Sequence, residues 1–303
     1  DFARVANAIA RFEPVKLVVD PSAVASAKAW CGPNIELIEL AVNDSWCRDS
    51  GPSFVCHPQQ GLAGVSWRFN AWGGKSAHDL DESLARRALN HLGLECFGTA
   101  LSNEGGAIHV DGEGTLITTE SVLLNPNRNP GVTKAEIEEI FTRLLGVKKI
   151  IWLPGDPDYV TGDMTDGHVD GVCAFARPGV LLVDATHDQQ SVYAEVAREN
   201  RRALELATDA QGRKFELIEL YEASDAVDTE AEVFCASYTN FYIANGAIIM
   251  PAYGIDADKV AAEVLAQAFP GREVVPVRIN HLAHGGGGVH CITQQQPAWS
   301  VRS

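Results

Sequence analysis

The sequence predicts an α/β fold made of one recurring module, a helix, a strand, a polar tip and a further strand. Three observations predict it. Apolar runs of helical and of β-type period alternate from one end of the chain to the other. A polar or Gly-rich tip recurs at intervals of roughly 50 to 70 residues. No linker-like shift in composition divides the chain, so residues 1–303 read as one domain of modules, stacked or arranged in a ring.

The elements follow in order. Helical period runs over residues 2–12, 23–30, 79–92, 133–145, 189–208 and 256–269. Thr133 followed by Glu136 has the spacing of a capping box, and Pro270-Gly271 stops the last helix. A β-type run follows each helix, over residues 16–20, 35–41, 94–99, 148–153, 214–221 and 273–279. Three hairpin turns are written as Asp111-Gly112-Glu113-Gly114, Arg177-Pro178-Gly179 and Asn245-Gly246, each between two short apolar runs.

Composition narrows the function. Hydrophobic residues are 46% and charged residues 21%, as in ordinary globular proteins. Forty acidic against 24 basic residues give a net charge of −16, which argues against a nucleic acid or an anionic membrane as partner. It suits a small cation, although solubility explains most of these charges. No run approaches the roughly 18 apolar residues of a membrane helix. The seven cysteines form no CxxC pair and are too sparse for a disulfide scaffold, which points to a reducing, cytoplasmic compartment. The chain starts at Asp1 without a methionine or signal peptide, so the natural start is expected further upstream.

The tips carry the chemistry. Gly285-Gly286-Gly287-Gly288 precedes Val289-His290-Cys291. Such glycines let backbone approach a ligand, which makes Gly287 and Gly288 candidate binding positions and Cys291 a candidate nucleophile. On a strand, His290 would face away from the thiol, so it reads as structural. His168 and Asp170 share one face of Gly167-His168-Val169-Asp170-Gly171 if that segment is extended, an imidazole beside a carboxylate suited to proton transfer. A solvated turn and a metal pair are the other readings, but no further ligands stand nearby in sequence. In Trp46-Cys47-Arg48-Asp49, Arg48 is expected to pair with a neighbouring acid and Trp46 to belong to the core. Asp49 and Trp46 have a second reading, lining a site for a planar cation. Glu104, before Gly105-Gly106, adds another acid, and His109 reads as core. Five tips with one or two polar groups each would suit one central site.

These tips resemble the agmatine deiminase branch of the guanidine-modifying superfamily, related to bacterial-type peptidyl-arginine deiminases. The stretches that carry the resemblance run in the family's order. They are Asn43-Asp44-Ser45-Trp46-Cys47-Arg48-Asp49-Ser50-Gly51-Pro52, Glu104-Gly105-Gly106-Ala107-Ile108-His109-Val110-Asp111-Gly112, Leu124-Asn125-Pro126-Asn127-Arg128-Asn129-Pro130, Gly167-His168-Val169-Asp170, Asn240-Phe241-Tyr242-Ile243-Ala244-Asn245-Gly246 and Gly285-Gly286-Gly287 with His290-Cys291-Ile292-Thr293-Gln294-Gln295. The resemblance implies a five-fold pseudosymmetric α/β propeller around a central active site. It implies metal-free and cofactor-free hydrolysis of a small cationic guanidine. Agmatine is the first candidate, giving N-carbamoylputrescine and ammonia in a polyamine-biosynthetic setting. By motif position Cys291 matches the nucleophile, His168 the general acid/base, Asp49 and Asp170 the guanidinium-binding carboxylates, Glu104 a supporting acid and Trp46 a pocket residue.

Four departures concern the distal pocket. Gly288 stands where the family has Asn, Gly171 stands for the Asn after the HxD motif, and Met164 replaces an acid suited to the substrate's far amine. The segment 222–233 is short. Asp163 or Asp166 would have to replace the missing charge. The family's first strand also precedes Phe2, which would leave the first module incomplete. Another guanidine as substrate (an arginine derivative or peptidyl-arginine), amidinotransfer and a catalytically silent binding module are the competing readings. A cysteine protease would not explain Asp49 and Asp170. Homo-oligomerisation is left open.

Overall fold

The structure is a computed structural model and describes residues 1–226 and 233–298. Its strands form five small sheets. In the first, β1 (Val15–Val19) runs parallel to β2 (Ile35–Glu39), joined through the helix Val24–Trp30. The other four share one plan, in which an antiparallel hairpin is followed by a helix that returns the chain to a parallel third strand. They are β3–β5 (Ser53–His57, Gly61–Arg68, Glu95–Ser102), β6–β8 (Ile108–Val110, Thr115–Thr119, Lys149–Leu153), β9–β11 (Cys173–Arg177, Val180–Ala185, Glu216–Tyr221) and β12–β14 (Tyr242–Ala244, Ala247–Ala252, Glu273–Arg278). The crossover helices are Leu84–His91, Lys134–Leu145, Val192–Leu206 and Ala257–Ala268.

The residues explain this plan. Middle strands β7 and β13 are buried along their whole length; β13 reads as a continuous apolar run, whereas β7 buries threonines whose hydroxyls, at Thr118 and Thr119, donate to the Ala107 and Gly167 carbonyls. Edge strands β11 and β14 bury fewer residues and carry charges such as Glu216, Glu219, Glu273 and Arg278. The Thr133–Glu136 capping box forms, and Gly146 ends that helix in the left-handed region at φ 70°. Gly112, Gly179 and Gly246 take positive φ in the three predicted hairpin turns. The β3–β4 hairpin is an addition to the sequence reading, and segment 79–92 is helical only from Leu84, after the 3-10 turn Asp81–Ser83.

The first sheet has two strands where the others have three. The helix Phe2–Ile9 packs on β13 and β14, far away in sequence. Arg11 pairs with Glu273, and the Tyr242 hydroxyl and Asn245 N–H donate to Glu13. Residues 227–232 of the short segment lie outside the described residues. Among the described residues, no helix is long and apolar enough to cross a membrane.

Candidate active site

The chain leaves each sheet from its last strand in sequence through a connection, and these connections carry the polar tips. After β2 the short helix Cys47–Ser50 presents Asp49. After β5 comes Glu104, after β8 His168 and Asp170, after β11 Asn240, and after β14 Cys291. The connections touch in a closed circuit. Gly106 N–H donates to Asp49 Oδ1 at 2.9 Å. His168 Nε2 faces Glu104 Oε2 at 3.5 Å. Thr239 Oγ1 donates to the Asp170 carbonyl at 3.4 Å, and His290 N–H to the Asn240 carbonyl at 3.0 Å. Arg48 N–H closes the circuit on the Cys291 carbonyl at 3.1 Å.

Five candidates therefore meet. His168 Nδ1 lies 3.8 Å from Asp49 Oδ1 and 4.0 Å from Asp170 Oδ1. Cys291 Sγ lies 3.9 Å from Asp170 Oδ2. The Asn240 amide stands 3.3 Å from the sulfur through Nδ2. All the side chains named here are buried apart from Cys291, which is partly exposed. Glu104 Oε2 and His168 Nε2 are buried against each other at 3.5 Å, with no other hydrogen-bond partner among the described residues.

Charge follows from this packing. Burial pushes Asp49 up to about 6, partly opposed by His168. Burial would lower His168, but Asp49, Glu104 and Asp170 outweigh it and raise the imidazole to about 9. Burial likewise raises Glu104, yet His168 and Arg128 bring it below the ordinary carboxylate range. Burial also raises Asp170 and, with Asp170, Cys235 and Asp49 near it, holds the Cys291 thiol well above its usual value. At neutral pH the site is thus an imidazolium among carboxylates, beside a thiol.

Several sequence readings change. His168 is extended, but Val169–Gly171 is a 3-10 turn, so the imidazole and Asp170 converge through a turn and not along a strand. His290 does not lie on a strand either, and its Nδ1 is 2.7 Å from Asp170 Oδ2. Arg48 makes no ion pair with a neighbouring acid among the described residues. Its guanidinium turns into the last connection, where Nε donates to the His290 carbonyl at 3.3 Å, and Nη2 is buried unpartnered. Trp46 is in the core, beneath the glycine run, where a Cβ on Gly287 would stand 2.3 Å from its ring. A Cβ on Gly288 would stand 2.6 Å from Asn240 Oδ1, so this glycine makes room for that amide. Asp166 cannot supply a free distal charge, because Lys75 and Arg128 already pair with it. Asp163 is held by neutral donors of its own turn, Thr165 and Gly167.

The sequence reading missed Trp72, Arg128 and Asn240 as site residues. Trp72 Nε1 donates to Asp49 Oδ2 at 2.9 Å from a left-handed backbone at φ 55°, a strained conformation beside a site. Arg128 is fully buried and donates from Nε to Glu104 Oε1 at 3.0 Å. The signals were Trp72-Gly73-Gly74 and the Asn-rich loop around Arg128.

Comparison with known proteins agrees in extent. A sequence model of the Porphyromonas-type peptidyl-arginine deiminase family matches residues 1–297. An agmatine deiminase of Medicago truncatula is 40% identical over 333 residues, spanning 98% of this chain and 87% of that one. An agmatine deiminase of Pseudomonas syringae pv. tomato is 41% identical over 318 residues, spanning 97% and 86%. The solved agmatine deiminase of Enterococcus faecalis is similar in fold, with a TM-score of 0.92 and 34% identity, covering 98% of this chain and 86% of that one.

Proposed function

The chain belongs to the Porphyromonas-type peptidyl-arginine deiminase family, and from that premise we propose that it hydrolyses the guanidinium of agmatine to N-carbamoylputrescine and ammonia. Its relatives named as agmatine deiminases support this substrate. One observation carries the chemistry: three buried carboxylates surround one imidazole, with a thiol against the third. A planar cation is the ligand that such a set of acids accepts.

In this reading, Asp49 and Asp170 bind the guanidinium nitrogens and orient the carbon toward Cys291. The arriving cation offsets the nearby carboxylates and favours loss of the thiol proton to solvent, to which Cys291 is partly exposed. The thiolate adds to the guanidinium carbon. His168, protonated at neutral pH, gives its proton to the departing nitrogen, which leaves as ammonia. The remaining S-alkyl thiouronium takes up water, deprotonated by the now neutral His168. Collapse expels the Cys291 sulfur, which takes up the hydroxyl proton as the thiol re-forms, and leaves a ureido group. Glu104 keeps the imidazole charged before the first step. Trp46 supports the glycine run, where Gly287 and Gly288 bring backbone to the substrate.

For the distal ammonium we assign Asp163, whose partners leave its charge unmatched. The circuit of contacts among the connections supports a five-fold ring of modules about this site, all in one catalytic domain. Seven unpaired cysteines support a cytoplasmic setting.

The test is ammonia and ureido product from agmatine, arginine, an arginine peptide and shorter guanidino acids, with Cys291→Ala as blank. Agmatine should dominate, without any added amine acceptor. A preference for arginine or its peptides would reject agmatine. Product only with an amine acceptor would make the enzyme an amidinotransferase. Asp163→Asn should raise KM for agmatine and not for butylguanidine, which lacks the amine; equal effects on both would remove Asp163 from that role.

A further inference from the structure

We propose that His290 is the positioning residue for the Asp170 carboxylate, fixing the oxygen that faces the nucleophile. The inference rests on the reading above, in which Asp170 binds the guanidinium.

His290 sits next to Cys291 in sequence, yet its ring reaches Asp170, with Nδ1 2.7 Å from Oδ2. That same oxygen is the one 3.9 Å from Cys291 Sγ, while Oδ1 faces His168 at 4.0 Å. One bond thus sets how the carboxylate divides between the nucleophile and the general acid. The Asn240 amide, 3.5 Å from Oδ2, is a weaker second donor.

The backbone that carries the ring is fixed on both sides. Its backbone N–H is held by Asn240, through the carbonyl at 3.0 Å and through Oδ1 at 2.9 Å. Its carbonyl accepts from Arg48 Nε at 3.3 Å and from Thr293 Oγ1 at 3.0 Å. On the other side His109 stacks at 5.9 Å between centroids and 22° between planes, and Phe175 lies 5.7 Å from His109. The result is a layered support of Phe175, His109 and His290 behind Asp170.

Neutrality matters to this role. A cation at His290 would satisfy the carboxylate and weaken its hold on a guanidinium. Burial, with the Arg48 guanidinium and the His168 imidazolium nearby, holds His290 well below its ordinary value. Burial, with His290 and the Arg48 guanidinium nearby, holds His109 down at about 3. Against an ionised Asp170 the neutral ring forms its bond as the Nδ1–H tautomer, which orients Oδ2 and leaves the negative charge for the substrate.

The experiment compares wild type with His290→Ala, His290→Asn and His290→Gln by kcat and KM for agmatine, with a thermal midpoint for each. The Asn amide stands where Nδ1–H stood, and the Gln amide lies one bond too far. We expect His290→Ala and His290→Gln to lose roughly 10- to 100-fold in kcat/KM, and His290→Asn to recover most of it. In an Asp170→Asn background, His290→Ala should cost little more, because both act through one carboxylate. Equal activity of the Asn and Gln variants, or additive losses with Asp170→Asn, would overturn the assignment. A shifted acid limb in the pH profile of His290→Asn would make His290 a base instead. If His290→Ala does not fold, the Asn and Gln pair decides alone. Failure of wild type to release ureido product would count against the deiminase reading and leaves the variants to be compared by inactivation with a chloroacetamidine, which uses the same carboxylate: His290→Asn should then react faster than His290→Gln.

Discussion

Burial, with Asp170, Cys235 and Asp49 close by, keeps the Cys291 thiol protonated in the free enzyme at neutral pH. A neutral alkylating reagent cannot correct this, whereas a cationic amidine brings the charge that releases the proton. Iodoacetamide should therefore inactivate slowly at pH 7 and faster as pH rises, and chloroacetamidine should be faster at pH 7 by roughly tenfold or more. A rate for iodoacetamide that is flat from pH 6 to 9 would mean a thiolate already present, contrary to this picture. Space at the same centre is equally restrictive. A Cβ on Gly106 would stand 2.6 Å from His168 Nδ1, 2.9 Å from Asp49 Oδ1 and 3.0 Å from Asp170 Oδ2. Gly106→Ala should cost roughly 100-fold in kcat/KM by displacing groups that must align. Activity within twofold of wild type would show that the three groups yield without consequence.

The connections between sheets explain both what the sequence discloses and what it hides. Asp49, Glu104, His168, Asp170 and Cys291 were legible because each lies on a polar tip between apolar runs, a local pattern. The helices and strands were legible through period and through signals such as the Thr133 cap and the Pro270-Gly271 stop. Hairpin β3–β4 was not, since its first strand, with Ser53, Cys56 and His57, lacks clean alternation and its turn has no Asn-Gly signal. Arg48, Trp72, Arg128 and His290 were hidden for a different reason: their partners come from other connections, and no local pattern encodes closure of the circuit. Arg128 shows this at the scale of an element. It joins the loop after the short helix Glu120–Leu123 to the connection after β5 through Glu104, and to the connection after β8 through Asp166 and the Thr165 carbonyl at 3.0 Å. Arg128→Gln removes the buried cation that Glu104 and Asp166 share, leaving only His168 and Lys75 beside them, and should cost about 3–5 kcal/mol in urea unfolding; a loss under about 1 kcal/mol would show the clamp is dispensable. Gly171, at the end of the same connection, is the contrary case. A Cβ there meets nothing within 4 Å and φ is not positive, beside a cavity of about 40 Å³ lined also by Asp184, Tyr193 and Asn200. Gly171→Ala should stabilise by about 0.5 kcal/mol through the unfolded chain, with kcat/KM unchanged; destabilisation would mean that the glycine is required by the turn.

For the whole molecule, the site's charges set how stability depends on pH. His168 titrates at about 9 in the folded chain against 6.5 when unperturbed. Its contribution is fully present below about pH 6.5 and is lost as pH rises through 9, a change of about 2–3 kcal/mol between pH 7 and 10. Buried thiols act in the same direction. Cys47 is pushed up to about 11 and Cys235 to about 12, so the unfolded chain ionises first and gains as pH rises past 9. Asp184 is pushed by burial up to about 7, and it withdraws stability as pH climbs from 3.8 to 7. Glu104 and Asp166 work oppositely, since their depressed values make stability fall as pH drops below the ordinary carboxylate range. With neutral His109 and His290 also withdrawing stability as pH falls below 6.5, the sum places the most stable range just on the acid side of neutrality, below the pH at which the thiol ionises most readily. Thermal midpoints should therefore fall steadily from pH 7 to 9.5. His168→Ala should flatten the part of that fall below pH 9 and leave the steeper part above it, which belongs to the thiols. A wild-type midpoint that is constant or rising over this range, or a slope that His168→Ala leaves unchanged below pH 9, would show that the imidazolium is not held by the carboxylates in the way its distances to Asp49, Glu104 and Asp170 require.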